Sequence, residues 1–175
     1  MAWTGHTVLA VPVPELEAWV RERTAFYDAS FVSADPDFVH AHVTILGPWI
    51  AAPAAADLAA VAEIARSSAP FAFGLAEIEE FPDGLLHLRP DPAGPFGELT
   101  ARLTEAFPGH PPYGGAFGDV VPHLTLDRRS AAVTPAWLRA SLGEVLPATC
   151  RAARIDLQWW GNHACRRLAT WPLGS

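Results

Sequence analysis

Two stretches of the chain alternate apolar and polar positions with the same order of side chains. VHAHVTIL, residues 39–46, and VVPHLTLD, residues 120–127, both contain His, apolar, Thr, apolar: His42-Val43-Thr44-Ile45 and His123-Leu124-Thr125-Leu126. A strand sends successive side chains to opposite faces, so each stretch predicts a strand with one buried apolar face and one face bearing His and Thr. By the same alternation His40 shares the face of His42, toward the mouth of any cleft there.

The remaining periodicities fill in a mixed chain. HTVLAVPVP reads as a strand, and PELEAWVRERTAFYD as a helix with Pro14 in its first turn and Leu16, Trp19 and Val20 on one face. An alanine-rich helix is expected over 54–68, with Leu58, Val61 and Ile64 at helical spacing. FAFGLAEIEEF and GLLHLRP read as strands joined by a turn at Pro82, Asp83 and Gly84. Phe96, Leu99, Leu103 and Phe107 form a helical stripe, and the Gly/Pro loop 108–119 leads to the second His strand. Thr134-Pro135 suits the start of a helix bearing Trp137, Leu138 and Leu142. RAARIDLQWW and HACRRLATWPL are expected to close the chain as a hairpin on Gly161-Asn162.

Both halves therefore read strand, helix, His strand, helix, strand. The fold expected is α+β: a single domain over 1–175, two-lobed, from pseudo-repeats of about 6–81 and 85–172. Mainly antiparallel sheets would carry helices outside and a cleft between the lobes. His42, Thr44, His123 and Thr125 would converge in that cleft.

Composition narrows the partners. The net charge is -7, and all 12 basic residues are arginine, so bulk electrostatics cannot hold a long phosphate backbone. A nucleic-acid ligand would be a short end or a single nucleotide, with no long track. No run is long and apolar enough for a membrane span, and MAWTGHT has no leader character, so a cytoplasmic monomer without a membrane partner is expected. The hairpin register sets Cys165 opposite Gln158, far from Cys150, which makes both reduced thiols. No spacing matches a zinc site, and no metal or cofactor is expected.

Two motifs of this kind resemble those of the 2H phosphoesterase superfamily, which includes bacterial RNA 2′,3′-cyclic phosphodiesterases, also called 2′-5′ RNA ligases. HVTILGPW, LRPDPAGPFGELTARLTEAFP, YGGAFGDVVPHLTL and ATWPL all look like that family's segments, so the resemblance spans nearly the whole chain. Ala41 stands where proline, as at Pro122, is common in the family. The resemblance implies metal-independent opening of a 2′,3′-cyclic phosphodiester, at an RNA terminus or on a small nucleotide, to a 2′-phosphomonoester. It also implies His123 as base and His42 as acid.

The chemistry is consistent with the residue types. Imidazole has an ordinary pKa of about 6.5, so two of them can serve as base and acid near neutral pH. Thr44 and Thr125 can donate to the oxygens on which charge develops, as valine could not. Among further candidates for substrate binding, Trp160 lies on the opposite strand face from Trp159 and suits a base platform. Arg167 is set opposite Asp156, where pairing competes with reaching a phosphate. Tyr113 and His110 sit in the loop before the second motif, and His40 is more readily structural than a third catalytic histidine. His6 and His87 read as half-buried strand histidines, and Trp19, Trp137 and Trp159 as core. A hydrolase for another small cyclic phosphodiester, such as ADP-ribose cyclic phosphate or a cyclic oligonucleotide, is the alternative substrate reading. A non-catalytic nucleotide-binding module is the alternative in class; binding alone needs no second histidine in a mirrored position.

Overall fold

The alternating segments form eight strands and the 3.6-periodic ones four helices in a computed structural model that describes residues 4–116 and 120–175. Parts of the N-terminal stretch and of the loop 108–119 fall outside the described residues. In chain order the elements are β1 (His6–Pro12), α1 (Glu17–Asp28), β2 (His42–Leu46), α2 (Ala55–Arg66), β3 (Phe71–Glu80) and β4 (Leu85–Asp91). They continue with α3 (Gly94–Ala106), β5 (Leu124–Arg128), α4 (Pro135–Leu142), β6 (Ala148–Ala152), β7 (Arg154–Trp160) and β8 (Arg166–Pro172).

The strands form one sheet in the order β6-β3-β4-β5-β2-β1-β7-β8, antiparallel at every pairing. The order is symmetric about the β2-β5 junction. Each half of the chain keeps its first two strands together, and each sends a later strand to the other half's side: β3 joins β4, whereas β7 joins β1. Only Ala153 separates β6, at one sheet edge, from β7, next to the other, so the sheet must curl until its ends approach. The two His strands lie at the centre of that curl.

One face of the sheet supplies the core. Val43 and Ile45 of β2 and Leu124 and Leu126 of β5 are buried in the same apolar cluster as Val61 and Ile64 of α2, Phe96, Leu99 and Leu103 of α3, and Leu138 and Leu142 of α4. Each fully buried Leu or Phe side chain contributes about 1.5–3 kcal/mol to folding. The Thr100 hydroxyl donates to the Ile45 carbonyl at 2.8 Å, fastening α3 to β2. Thr134 caps α4 by accepting the Trp137 N–H at 3.1 Å. No described helix is long and apolar enough to cross a membrane.

Four expectations change. RAARIDLQWW is two strands that join different halves of the sheet rather than one. The closing hairpin has a longer turn, with His163 at a φ of 56°, so Arg167 faces Gln158 rather than Asp156. Asp156 pairs instead with Arg154 and Thr170. Trp137 is not core: it is 37% exposed, with the Arg23 guanidinium 4.9 Å from its ring centroid. The cysteines are free and buried as expected, and burial pushes the Cys150 thiol up to about 12.

Candidate active site

The face of β2 and β5 opposite the core carries polar side chains, and their placement follows from one backbone register. Val43 and Leu124 are direct partners in an antiparallel pair, the single bridge between these strands among the described residues. Stepping one residue outward on each strand sets His42 opposite Thr125 and Thr44 opposite His123. Side chains directly across such a pair stand about 5 Å apart, and those two residues along a strand about 7 Å. The two histidines therefore occupy one diagonal of a small rectangle and the two threonines the other. All four line a single cavity of about 180 Å³, together with His40, Leu85 and Tyr113.

Each ring is oriented by the same local bond. His42 Nδ1 lies 2.7 Å from the His40 carbonyl, and His123 Nδ1 lies 2.7 Å from the Val121 carbonyl. A carbonyl only accepts, so in both rings Nδ1 holds the proton and Nε2 is left with its lone pair. His42 Nε2 is 3.1 Å from the Thr44 hydroxyl. Burial lowers the pKa of His42; the His40 carbonyl opposes this, and the neighbouring His123 adds to it. Burial also lowers that of His123, against the bond to Val121 and with the neighbouring His87 ring adding to the effect. Both rings are accordingly neutral near pH 7, and a bound phosphate anion would draw a proton back onto one of them.

The surroundings hold this geometry. His40 does not lie at a cleft mouth: β2 starts only at His42, so His40 is outside the strand alternation and is 1% exposed. Its Nε2 accepts the Ser33 N–H at 3.0 Å, and its Nδ1 donates to Glu17 at 2.9 Å. The Glu17 carboxylate also accepts the N–H groups of His40 and Ala41, clamping the chain just before His42. Burial alone would raise the Glu17 carboxyl, but the bonds from His40 and Ala41 hold it below its ordinary value. Trp160 lies beside His42, ring centroids 5.5 Å apart, with its Nε1 donating to Gln158 at 3.0 Å. Gln158 in turn donates to the Val39 carbonyl at 2.7 Å.

On the other side, Tyr113 stacks on His123 at 6.3 Å, and its N–H donates to Gly47 at 2.7 Å. Burial raises the Tyr113 hydroxyl pKa. His87 is more than a half-buried strand residue: it is 1% exposed, packs edge-to-face on His123 at 5.3 Å and stacks on Phe81 at 3.9 Å. Arg167 is away from the cavity lining and pairs with Asp37 at 3.5 Å, while its backbone N–H donates to Asp35. Among the described residues, no group of three or more His, Cys, Asp or Glu side chains is placed to hold a metal ion.

The sequence reading missed Glu17, Phe81 and the burial of His87. Glu17 is adjacent to the predicted Leu16 face and carried no signal in the sequence. His87 carried a weak one, since strand alternation places it two residues from Leu85 on the cavity side.

The family model for the 2′-5′ RNA ligase superfamily matches residues 12–164 of the chain. No curated protein sequence matches it significantly. Among solved structures, TT0787 of Thermus thermophilus superposes with a TM-score of 0.59 at 19% identity over 100% of this chain and 99% of that one. E. coli LigT complexed with 3′-AMP gives 0.58 at 17% identity over 98% and 99% of the two chains. E. coli LigT complexed with NADP+ gives 0.56 at 17% identity over 98% of each chain.

Proposed function

This chain belongs to the 2′-5′ RNA ligase superfamily, and from that premise we propose that it hydrolyses a 2′,3′-cyclic phosphodiester, at an RNA end or on a small nucleotide, to a 2′-phosphomonoester. The observation carrying the proposal is the diagonal arrangement of His42 and His123 around one small cavity, with a hydroxyl at each remaining corner.

In-line displacement at phosphorus needs a base on one side and an acid on the other. The diagonal supplies them. In this reading His123 Nε2 takes a proton from water as the water oxygen bonds to phosphorus. The P–O3′ bond breaks, and His42, protonated at Nε2 in the bound state, delivers its proton to O3′. His123 receives the role of base because its side of the cavity is the more open: Thr125 is exposed, whereas His42 is enclosed by Trp160. Thr44 and Thr125 donate to the non-bridging oxygens as charge develops on them. No step requires a metal ion.

The E. coli LigT structures contain small nucleotides, 3′-AMP and NADP+ among them, which supports a nucleotide-sized ligand here. The proposal is tested by the single and double His42→Ala and His123→Ala variants. Each single change should lower kcat by on the order of 10²-fold or more, and the double change should cost far less than the product of the two. Unchanged turnover in either single variant would refute the mechanism.

A further inference from the structure

The diagonal of His42 and His123 is nearly symmetric, and one buried side chain breaks that symmetry. The sheet order repeats about the β2-β5 junction, so β4 stands beside β5 as β1 stands beside β2. On β4 the residue paired with Thr125 is His87, whereas on β1 the residue paired with Thr44 is Ala10. One strand further out, both halves set a carboxylate beside that position: Glu79 pairs with His87, and Asp156 with Ala10. Asp156 is engaged by Arg154 and Thr170. Glu79 instead has a titratable ring between it and the second His strand.

His87 is oriented as His42 and His123 are. Its Nδ1 lies 3.3 Å from the Leu85 carbonyl, two residues back along the strand, so in the neutral ring Nδ1 holds the proton and Nε2 the lone pair. That Nε2 is buried, makes no hydrogen bond and lies 3.8 Å from Glu79 Oε2. A lone pair facing a carboxylate satisfies neither group, whereas an N–H there would satisfy both. Arg89 pairs with the other oxygen, Glu79 Oε1, at 3.1 Å, which leaves Oε2 to the ring. The His87 ring meets His123 edge-to-face at 5.3 Å, and its stack on Phe81 at 3.9 Å holds it there. Of the other ionisable groups on this side, Tyr113 stacks on His123, and Asp83 accepts the Leu85 N–H at 3.0 Å.

We propose, on the basis of the phosphodiesterase reading above, that His87 is a positioning residue for the proton: paired with Glu79 it carries a proton at Nε2, sets a cation against His123, and so keeps His123 the neutral member of the histidine pair. A bound phosphate draws one proton onto that pair. Repulsion from His87 sends it to His42 Nε2, where the leaving oxygen needs it, and leaves the His123 lone pair free for water. Ala10, at the matching position beside Thr44, carries no charge. Burial lowers the His123 pKa, and the His87 ring adds to the effect. Two unit charges at the 5.3 Å between these rings, in a site open to water, shift a titration by about 0.5–1 pH unit. The same repulsion makes the productive placement of the proton about three- to tenfold more populated.

The test uses the full chain and follows each imidazole by nitrogen NMR as pH is lowered. His87→Phe keeps a ring to stack on Phe81 and pack against His123 but removes the charge. In that variant the His123 midpoint should rise by about 0.5–1 pH unit, the His42 midpoint should not rise with it, and kcat/KM for 2′,3′-cyclic AMP should fall about three- to tenfold. In the unaltered protein the His123 curve should carry a second inflection at the midpoint of His87, a reading that needs no variant to fold. An unmoved His123 midpoint in His87→Phe, whether or not activity is lost, would assign His87 to packing alone and overturn the inference while leaving the phosphodiesterase reading standing. So would a His123 curve in the unaltered protein that does not respond to His87. If the unaltered protein does not hydrolyse 2′,3′-cyclic AMP, the phosphodiesterase reading fails, and the His123 titration alone decides whether His87 sets its charge.

Discussion

Removing the Glu17 carboxylate should both loosen the fold and slow the reaction, by an amount that can be worked from its bonds. Glu17 accepts three hydrogen bonds at 2.9–3.0 Å: the His40 and Ala41 backbone N–H groups and the His40 ring. His40 and Ala41 are each 1% exposed, so Glu17→Ala leaves buried donors without an acceptor. Each such donor costs about 1–3 kcal/mol, but the Glu17 side chain is 24% exposed, and water entering the vacated space recovers part of the loss. A net destabilisation of about 2–4 kcal/mol follows, read as a lower midpoint in urea at unchanged slope. The hydrogen bonds hold the folded-state carboxyl below its ordinary 4.5, so this stabilisation is full above 4.5 and is lost as pH falls through the folded value. The gap between the unaltered protein and the variant should therefore narrow below pH 4.5. Because the His40 carbonyl orients His42, kcat should fall about tenfold or more with a smaller change in KM, and Glu17→Gln, which keeps one acceptor oxygen, should recover part of both losses. An unchanged midpoint and unchanged kcat in Glu17→Ala would refute the clamp.

Thr44→Val and Thr125→Val should each cost roughly 2–4 kcal/mol of transition-state stabilisation, measured as kcat/KM with the fold checked by circular dichroism; full activity in both would remove the threonines from the phosphate. The acid must be protonated and the base neutral, and both histidines titrate below 6.5 in the free protein, so the alkaline limb of kcat/KM should fall below 6.5. In the pH profile of kcat that limb should move upward, because the bound phosphate favours imidazolium; an alkaline limb of kcat/KM above 6.5 would contradict the burial argument. With a net charge of -7 and no lysine, a 20-nucleotide RNA bearing the cyclic end should differ from the mononucleotide by less than about tenfold in kcat/KM, with a salt slope of one or two phosphate contacts.

Much of this arrangement was legible in the residue pattern, because strand alternation and helical spacing are local. The paired His-apolar-Thr motifs placed four side chains on one face of two strands, and the curled antiparallel sheet with helices on its apolar side agrees with the α+β reading. What escaped depends on turns and on contacts distant in sequence. The Gly161-Asn162 signal implied a two-residue turn, but His163 adopts a left-handed conformation and donates its N–H to Ser30, lengthening the loop and changing the partner of Arg167. His40 fits the strand alternation until Glu17 takes its backbone N–H and its ring, a contact 23 residues away that periodicity cannot show. Trp137 lies within the predicted apolar stripe of α4, yet its ring is covered only in part and meets Arg23 of α1.

The central claim is that two oriented imidazoles open a cyclic phosphate without a metal ion. Phosphorus NMR of the protein mixed with 2′,3′-cyclic AMP in excess EDTA tests it directly. The account predicts that the resonance of the cyclic phosphate gives way to that of the 2′-phosphomonoester, and that the conversion is abolished to within background in the double variant of His42 and His123. A cyclic phosphate left intact by the unaltered protein, or hydrolysed only once a divalent ion is restored, would contradict it.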